Sequence, residues 1–298
     1  MATPAFTPKT HRHTYEAINP KRPSLSQKGR TILITGGASG IGYAISRAFA
    51  VAGADRVIIL GRRADAVAEA AVSLRAEVAA EGNLKGEIQG RVGDISSLES
   101  IDALWDGLAA ENITVDVVVL NAASFSKAAP VLEIGVHTLL EDYRVNVLAG
   151  YRFAQRLKGQ EGGAGGKKYL LNVSSIAAHD SNTAPTNLNY GASKNAAALL
   201  FQLMAREVPA QQMQIISFHP GAVLTEKARA HGYTEDTLPW DDVDVPAHFS
   251  VWAASEEASF LHGRFVHATW DVGELMEGEK RALIDGDLEL LKIGVKGL

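Results

Sequence analysis

Short apolar runs alternate along this chain with longer stretches in which apolar residues recur every three or four positions. The runs are TILIT (31–35), RVIIL (56–60), EIQGRV (87–92), VDVVVL (115–120), KYLLNV (168–173), QIISF (214–218) and RFVHA (264–268). Between them lie the Ala-rich or helically periodic stretches 41–54, 64–81, 98–111, 139–158 and 190–208. A strand with one wet face would alternate polar and apolar residues. These runs are continuous, so they predict strands buried on both sides and helices that cover them. The expected fold is α/β: a doubly wound parallel sheet of about seven strands with helices on both faces. In such a sheet a ligand sits at the carboxyl ends of the strands, near the point where strand order reverses.

Residues 28–298 read as a single domain, with no internal repeat and no tract long enough to be a domain linker. Residues 1–27 read as an arm: they hold scattered basic residues and several prolines but no apolar core of a secretory signal. The Gly-rich tract 159–168 precedes a strand instead of opening a helix. It therefore lacks the helix N-terminus that lets glycine loops hold phosphate, and reads as a flexible surface connection. The closing GVKGL carries no recognisable address.

Composition narrows the function classes. With 298 residues and 46% hydrophobic content the chain can bury a large core, and a net charge of -5 supplies no basic field for nucleic acid. No run approaches the roughly 18 apolar residues of a membrane span. The absence of cysteine excludes disulfides, thiolate metal sites and a cysteine nucleophile, and fits a reducing, cytoplasmic location. The nine histidines show metal-like spacing only in HRH (11–13), within an arm expected to be disordered, so no metal site is expected.

The first run ends in Thr35 and opens into Gly36, Gly40 and Gly42, directly before a predicted helix. Such a turn either packs a helix tightly on a sheet or brings backbone N–H groups and a helix dipole under a phosphate. Further on, Tyr190 and Lys194 are four apart on a predicted helix and share one face. A tyrosine has an ordinary pKa of about 10. An ammonium about 4 Å away, at an effective dielectric of about 20, contributes on the order of 4 kcal/mol, enough to lower that pKa by roughly three units.

The pattern T-G-x-x-x-G-I-G (35–42), followed by YGASK (190–194), resembles the short-chain dehydrogenase/reductase family. The likeness runs from about Lys28 to about Ala268. Matching segments follow in family order: GDIS with Asp94 and Ile95, NAA at Asn121 to Ala123, RVNV with Asn146, NVSS with Ser174 and Ser175, and HPGAVLT from His219 to Thr225. The resemblance implies a Rossmann-type fold and an oxidoreductase that interconverts a ketone or aldehyde and an alcohol. Tyr190 would be the general acid/base, Ser175 would hold the substrate oxygen, Lys194 would bind the nicotinamide ribose, and Asn146 would support a proton-relaying water. It places Gly36, Ser39, Gly40, Ile41, Gly42, Asp94, Ile95, Asn121, Ala122, Ala123, Pro220, Gly221, Val223 and Thr225 at the cofactor, together with Tyr190 and Lys194. Other reactions on this fold remain open: use of NAD, reduction of a C=C bond, or binding of a dinucleotide without catalysis.

The second run ends in Gly61, Arg62 and Arg63, where NAD enzymes usually carry a carboxylate for the ribose 2′-hydroxyl. A guanidinium there forks onto a 2′-phosphate, which points to NADP(H) over NAD(H), Arg62 foremost. Asp65 reads as a helix-start residue.

Two departures from the family stand out. The interval from Ser175 to Tyr190 is two residues longer than usual, which leaves Ser174 and Ser181 as rival hydroxyls although the NVSS match selects Ser175. Ala123 replaces the usual glycine. His179 in the extended loop, and Tyr233 and Trp240 in the segment at about 222–246, are candidates for the substrate pocket. The resemblance also implies fungal NADP-dependent relatives in secondary metabolism. It further implies a homodimer or homotetramer built on the helices of Asn146 and Tyr190, which the Ala-rich run YGASKNAAALLFQLM suits.

Overall fold

The seven apolar runs form β1 (Thr31–Thr35), β2 (Arg56–Gly61), β3 (Glu87–Val92), β4 (Val117–Leu120), β5 (Lys168–Val173), β6 (Met213–His219) and β7 (Phe265–His267). They pair in one sheet of order β3-β2-β1-β4-β5-β6-β7, every pair parallel. The computed structural model describes residues 5–82, 86–127, 129–160, 166–183 and 187–294. The middle of the Gly-rich tract (161–165), part of the loop between Ser175 and Tyr190 (184–186) and the end of GVKGL lie outside the described residues.

Ten α-helices cover the sheet among the described residues: α1 (Gly40–Val51), α2 (Ala64–Ala80), α3 (Leu98–Ala110), α4 (Val136–Tyr143), α5 (Ala149–Lys158), α6 (Leu188–Glu207), α7 (Glu226–Ala230), α8 (Asp244–Ala253), α9 (Val272–Met276) and α10 (Gly278–Gly286). Because side chains alternate across a strand, β1 feeds two cores. Ile32 and Ile34 pack with Phe49 of α1, Leu74 of α2 and Trp252 of α8, whereas Leu33 packs with Trp105 of α3, Phe153 of α5 and Phe201 of α6. All four residues of β4 are buried. Each such valine contributes about 1.5–3 kcal/mol by leaving water.

β1 lies between β2 and β4, with Thr31 opposite Arg56 and Ile32 opposite Val117. Strand order therefore reverses at β1, and a crevice opens at its carboxyl end beside that of β4. Among the described residues, no helix is long and apolar enough to cross a membrane.

Two expectations are corrected. The stretch 139–158 is not one regular helix: α4 runs into a π-helical turn, Arg144–Leu148, before α5. A single inserted residue widens a turn without breaking the apolar periodicity, so the pattern could not reveal it. Nor is the described part of the arm, residues 5–27, disordered. Ile18 and Leu25 are fully buried in the core that holds α1 and α8, Thr10 pairs with Trp270, and the His11 N–H donates to the Thr269 carbonyl at 2.7 Å. Its apolar residues are too sparse to show a period, yet Phe6, Tyr15, Ala17, Ile18 and Leu25 all pack in or against that core.

Candidate active site

The turn after β1 is stapled to the end of β4. Thr35 Oγ1 accepts from the N–H of Asn121 and of Ala122, both at 3.0 Å, and the Asn121 amide donates back to the Thr35 carbonyl at 3.0 Å. Two of its glycines stand in the left-handed region, Gly36 at φ 66° and Gly40 at φ 52°. Gly42 has a different reason. A Cβ there would lie 2.2 Å from the Gly36 carbonyl oxygen, so the helix can start this close to the turn only without a side chain. Ser39, the residue before α1, makes no side-chain cap, which leaves that helix start open to an outside acceptor.

A cavity of about 1700 Å³ runs along the carboxyl ends of the strands. Gly36, Ser39, Gly40 and Ile41 line it at β1 and α1, Arg62 at β2, and Asp94 and Ile95 at β3. Asn121, Ala122 and Ala123 line it after β4, Ser175 after β5, and Tyr190 and Lys194 from α6. Pro220, Gly221, Val223 and Thr225 line it after β6, as do His179, Tyr233 and Trp240 at its outer part. Four of the candidate residues do not line it. Gly42 serves packing, Arg63 is the exposed residue just before α2, Asn146 sits behind the wall in the π-helical turn, and Ser181 opens the short turn Ser181–Thr183. Asp65 falls in the first turn of α2, as expected.

Asn146 acts as a clamp. Its Oδ1 accepts from the Ser124 N–H at 2.8 Å, while Nδ2 donates to the Ser124 carbonyl at 3.0 Å and to Ser193 Oγ at 2.9 Å. This ties the loop after β4 to α6. A void of about 10 Å³ touches both Asn146 and Lys194. That is about the least space a single water needs.

The electrostatics of Tyr190 and Lys194 depart from the simple Coulomb expectation. Burial pushes the Tyr190 phenol up to about 12, and its hydrogen bond with Ser175 pulls the other way. Lys194 is not among the causes. Burial also brings the Lys194 ammonium down to about 7, helped by repulsion from Lys227. Both charged forms lose their water, and desolvation outweighs their mutual attraction. Phe125 meets the Tyr190 ring edge-on, 4.7 Å between centres, and shields it further.

Of the rival hydroxyls, Ser174 is buried and finds no partner among the described residues, whereas Ser175 meets Tyr190. Further out, His179 and His267 approach to 3.3 Å through their Nε2 atoms. Burial keeps the His267 ring neutral, with its pKa down at about 3. Tyr233 and Trp240 form an edge-on pair with centres 5.9 Å apart.

Sequence reasoning missed Lys227, which lines the cavity from α7, and it missed the contribution of the arm. Phe6, His11 and Arg12 also line the cavity. His11 pairs with Asp271 at 2.7 Å and stacks on Tyr15, Phe6 packs on Trp270, and the Arg12 carbonyl accepts from the Asp242 N–H at 2.8 Å. The only signal for Lys227 was its place two residues after the HPGAVLT segment. For the arm, aromatic residues among prolines were a weak one.

Residues 30–236 match the family model described as short chain dehydrogenase. A short chain dehydrogenase/reductase from Aspergillus aculeatus is 35% identical over 287 residues, covering 96% of this chain and 94% of the relative. Another, from Claviceps purpurea, is 35% identical over 290 residues, covering 96% and 93%. Among solved structures, one from Beutenbergia cavernae superposes with a TM-score of 0.70 at 28% identity, covering 85% of this chain and 100% of that one. It is provisionally assigned as an NAD(P)-dependent gluconate 5-dehydrogenase and holds NADP at low occupancy. With a Rossmann-type sheet, a glycine turn at its switch point and relatives matched over nearly their whole length, the chain belongs to the short-chain dehydrogenase/reductase family of oxidoreductases.

Proposed function

We propose that the protein uses NADP(H) to interconvert a ketone or aldehyde with an alcohol on a small molecule, with Tyr190 exchanging the proton at the substrate oxygen. The observation that carries this reading is that Ser175, Tyr190 and Lys194 line one cavity with an open helix start and with Arg62. The residues present fit a dinucleotide. Gly36 and Gly40 keep the crevice free of side chain, a Cβ at Gly40 would crowd Thr225 at 3.3 Å, and the Ser39 hydroxyl leaves the start of α1 uncapped. The NADP-bound relative from Beutenbergia cavernae supports the same reading.

When bound, the reduced nicotinamide supplies a hydride to the carbonyl carbon. Ser175 holds the substrate oxygen by a hydrogen bond, and Tyr190 donates its proton there as negative charge develops. A phenol held near 12 is fully protonated at neutral pH, and it is still a far stronger acid than an alcohol, whose pKa is on the order of 16, close to that of water. Its resting state therefore suits the reducing direction. Lys194, near 7, can give up and regain a proton at working pH, and the small void beside Asn146 suits a water that connects it to solvent. Arg62 stands at the end of β2 where a 2′-phosphate would lie, with no carboxylate beside it in the sequence to favour NAD. Exposed Leu148, Tyr151, Leu199 and Leu203 on the helices of Asn146 and Tyr190 support a homodimer or homotetramer.

The test is a fluorescence titration of the protein and of Arg62→Asp with NADPH and NADH, followed by a carbonyl screen. Binding of NADPH that weakens about tenfold in the variant, with NADH little changed, is the expected result. Binding of neither cofactor would remove the reading.

A further inference from the structure

We propose that Lys227 is a phosphate-binding residue for the dinucleotide, and that the segment Thr225–Lys227 straps the crevice shut over it. This rests on the dinucleotide reading above. The segment touches both lips of the switch-point crevice. Thr225 Cγ2 lies 3.3 Å from where a Cβ of Gly40 would stand, on the α1 side. Lys227 Nζ donates to the Ala123 carbonyl at 2.9 Å, on the β4 side. A chain crossing from one lip to the other passes over whatever lies between them.

The charge pattern says what that is. Arg62, Lys227 and Lys194 all line the cavity. The field of Arg62 reaches Lys227, after burial the next cause that holds its ammonium below its ordinary value, and the field of Lys227 in turn reaches Lys194. The two lysines rest on backbone carbonyls, Ala123 for Lys227 and Val173 for Lys194. Asp142, the carboxylate that acts on Lys227 from a distance, is already held by Ser124, Ser126 and Asn189. Three basic groups set along one crevice disfavour one another's charged forms until an anion with more than one charge enters. A phosphate oxygen also makes a stronger, charge-assisted bond than the neutral carbonyl it would replace. Lys227 therefore exchanges Ala123 for phosphate as the cofactor binds. Because Lys227 lies on α7 at the head of the segment bearing Tyr233 and Trp240, that exchange fixes the outer pocket too.

The experiment compares the protein with Lys227→Gln and Lys227→Arg, titrating each with NADPH and NADH by nicotinamide fluorescence and measuring the melting temperature of each without cofactor. Gln keeps a donor for the Ala123 carbonyl but loses the charge, and Arg keeps the charge. The expected result is a Kd raised about tenfold or more in Lys227→Gln, largely restored in Lys227→Arg, with unchanged cofactor-free melting. Loss for both cofactors assigns Lys227 to the pyrophosphate, and loss for NADPH alone assigns it to the 2′-phosphate. An unchanged Kd in Lys227→Gln overturns the proposal while the dinucleotide reading stands. A loss accompanied by lowered cofactor-free melting, or shared equally by Lys227→Arg, makes the lysine a structural strut and also overturns it. If the unaltered protein binds neither cofactor, both readings fall together.

Discussion

The Nζ of Lys194 stands 5.8 Å from the centre of the Tyr190 ring, and its hydrogen bond goes to the carbonyl of Val173 at 2.9 Å. The lysine is thus tied to β5, and burial dominates the titration of both groups. The ordinary lysine value of 10.5 falls to about 7 in the folded chain. Between these two pH values the unfolded chain holds a proton that the folded chain does not, so stability rises with pH across this window. The slope is at most about 1.4 kcal/mol per pH unit. Above pH 10 the raised Tyr190 reverses the sign, because there the folded chain holds the extra proton. Melting temperatures of the cofactor-free protein at pH 7, 8 and 9 should climb, and Lys194→Met should flatten the climb. A flat profile in the unaltered protein would mean that Lys194 keeps its ordinary pKa.

Ser174 and Ser175 should part company on mutation. The Ser174 hydroxyl is buried without a partner among the described residues, so Ser174→Ala removes a desolvated group and should leave stability equal or raised by about 1 kcal/mol, with kcat unchanged. Ser175→Ala should lower kcat at least about a hundredfold, the scale of losing one oxyanion donor. Steady-state kinetics beside thermal melts of the two variants decide it, and the reverse pattern would reassign the substrate hydroxyl.

Tyr190→Phe keeps the ring that packs on Phe125 and removes only the phenol proton. The variant should fold and bind NADPH as before while kcat drops by about a factor of 100–10,000, the usual span for general acid catalysis. Activity within a few-fold of the parent would sink the assignment.

Glycines at two places should respond in opposite ways to alanine. At Gly42 the new Cβ would meet the Gly36 carbonyl oxygen at 2.2 Å and the Asn121 amide at 2.5 Å, so Gly42→Ala should push α1 off the turn, lower the melting temperature and weaken dinucleotide binding. At Gly107, within α3, a Cβ meets nothing within 4 Å. There Gly107→Ala should stabilise by up to about 1 kcal/mol through helix propensity alone. Chemical denaturation of the two variants is the check, and equal effects would refute the packing argument.

The strands and the order of the site segments were legible because apolar residues dominate the buried strands and because turn glycines are chemically distinctive. Gly36, Gly40, Tyr190, Lys194 and Arg62 all came from local pattern, and all line the cavity. Gly42 and Arg63 came from the same patterns and fall outside it, since a motif does not say which glycine faces a ligand and which faces a helix. Other things could not be read. The π-helical turn around Asn146 changes hydrogen-bond connectivity, not residue type. The pKa of Tyr190 depends on burial supplied by Phe125, a residue with no motif. The wall built by Phe6, His11 and Arg12 depends on partners such as Asp271 that lie far along the chain.

That wall joins His11 to Asp271, 260 residues apart. The glycine turn, by contrast, is held by β1, β2 and β4, all within the first 120 residues. Loop closure over so long a span is slow and must wait for the distant partner to be made. On a ribosome, the glycine turn and the strand ends that hold it therefore have their parts long before the outer wall does. The emerging chain can take shape around that turn, and the wall that the arm builds against Asp271 is sealed last.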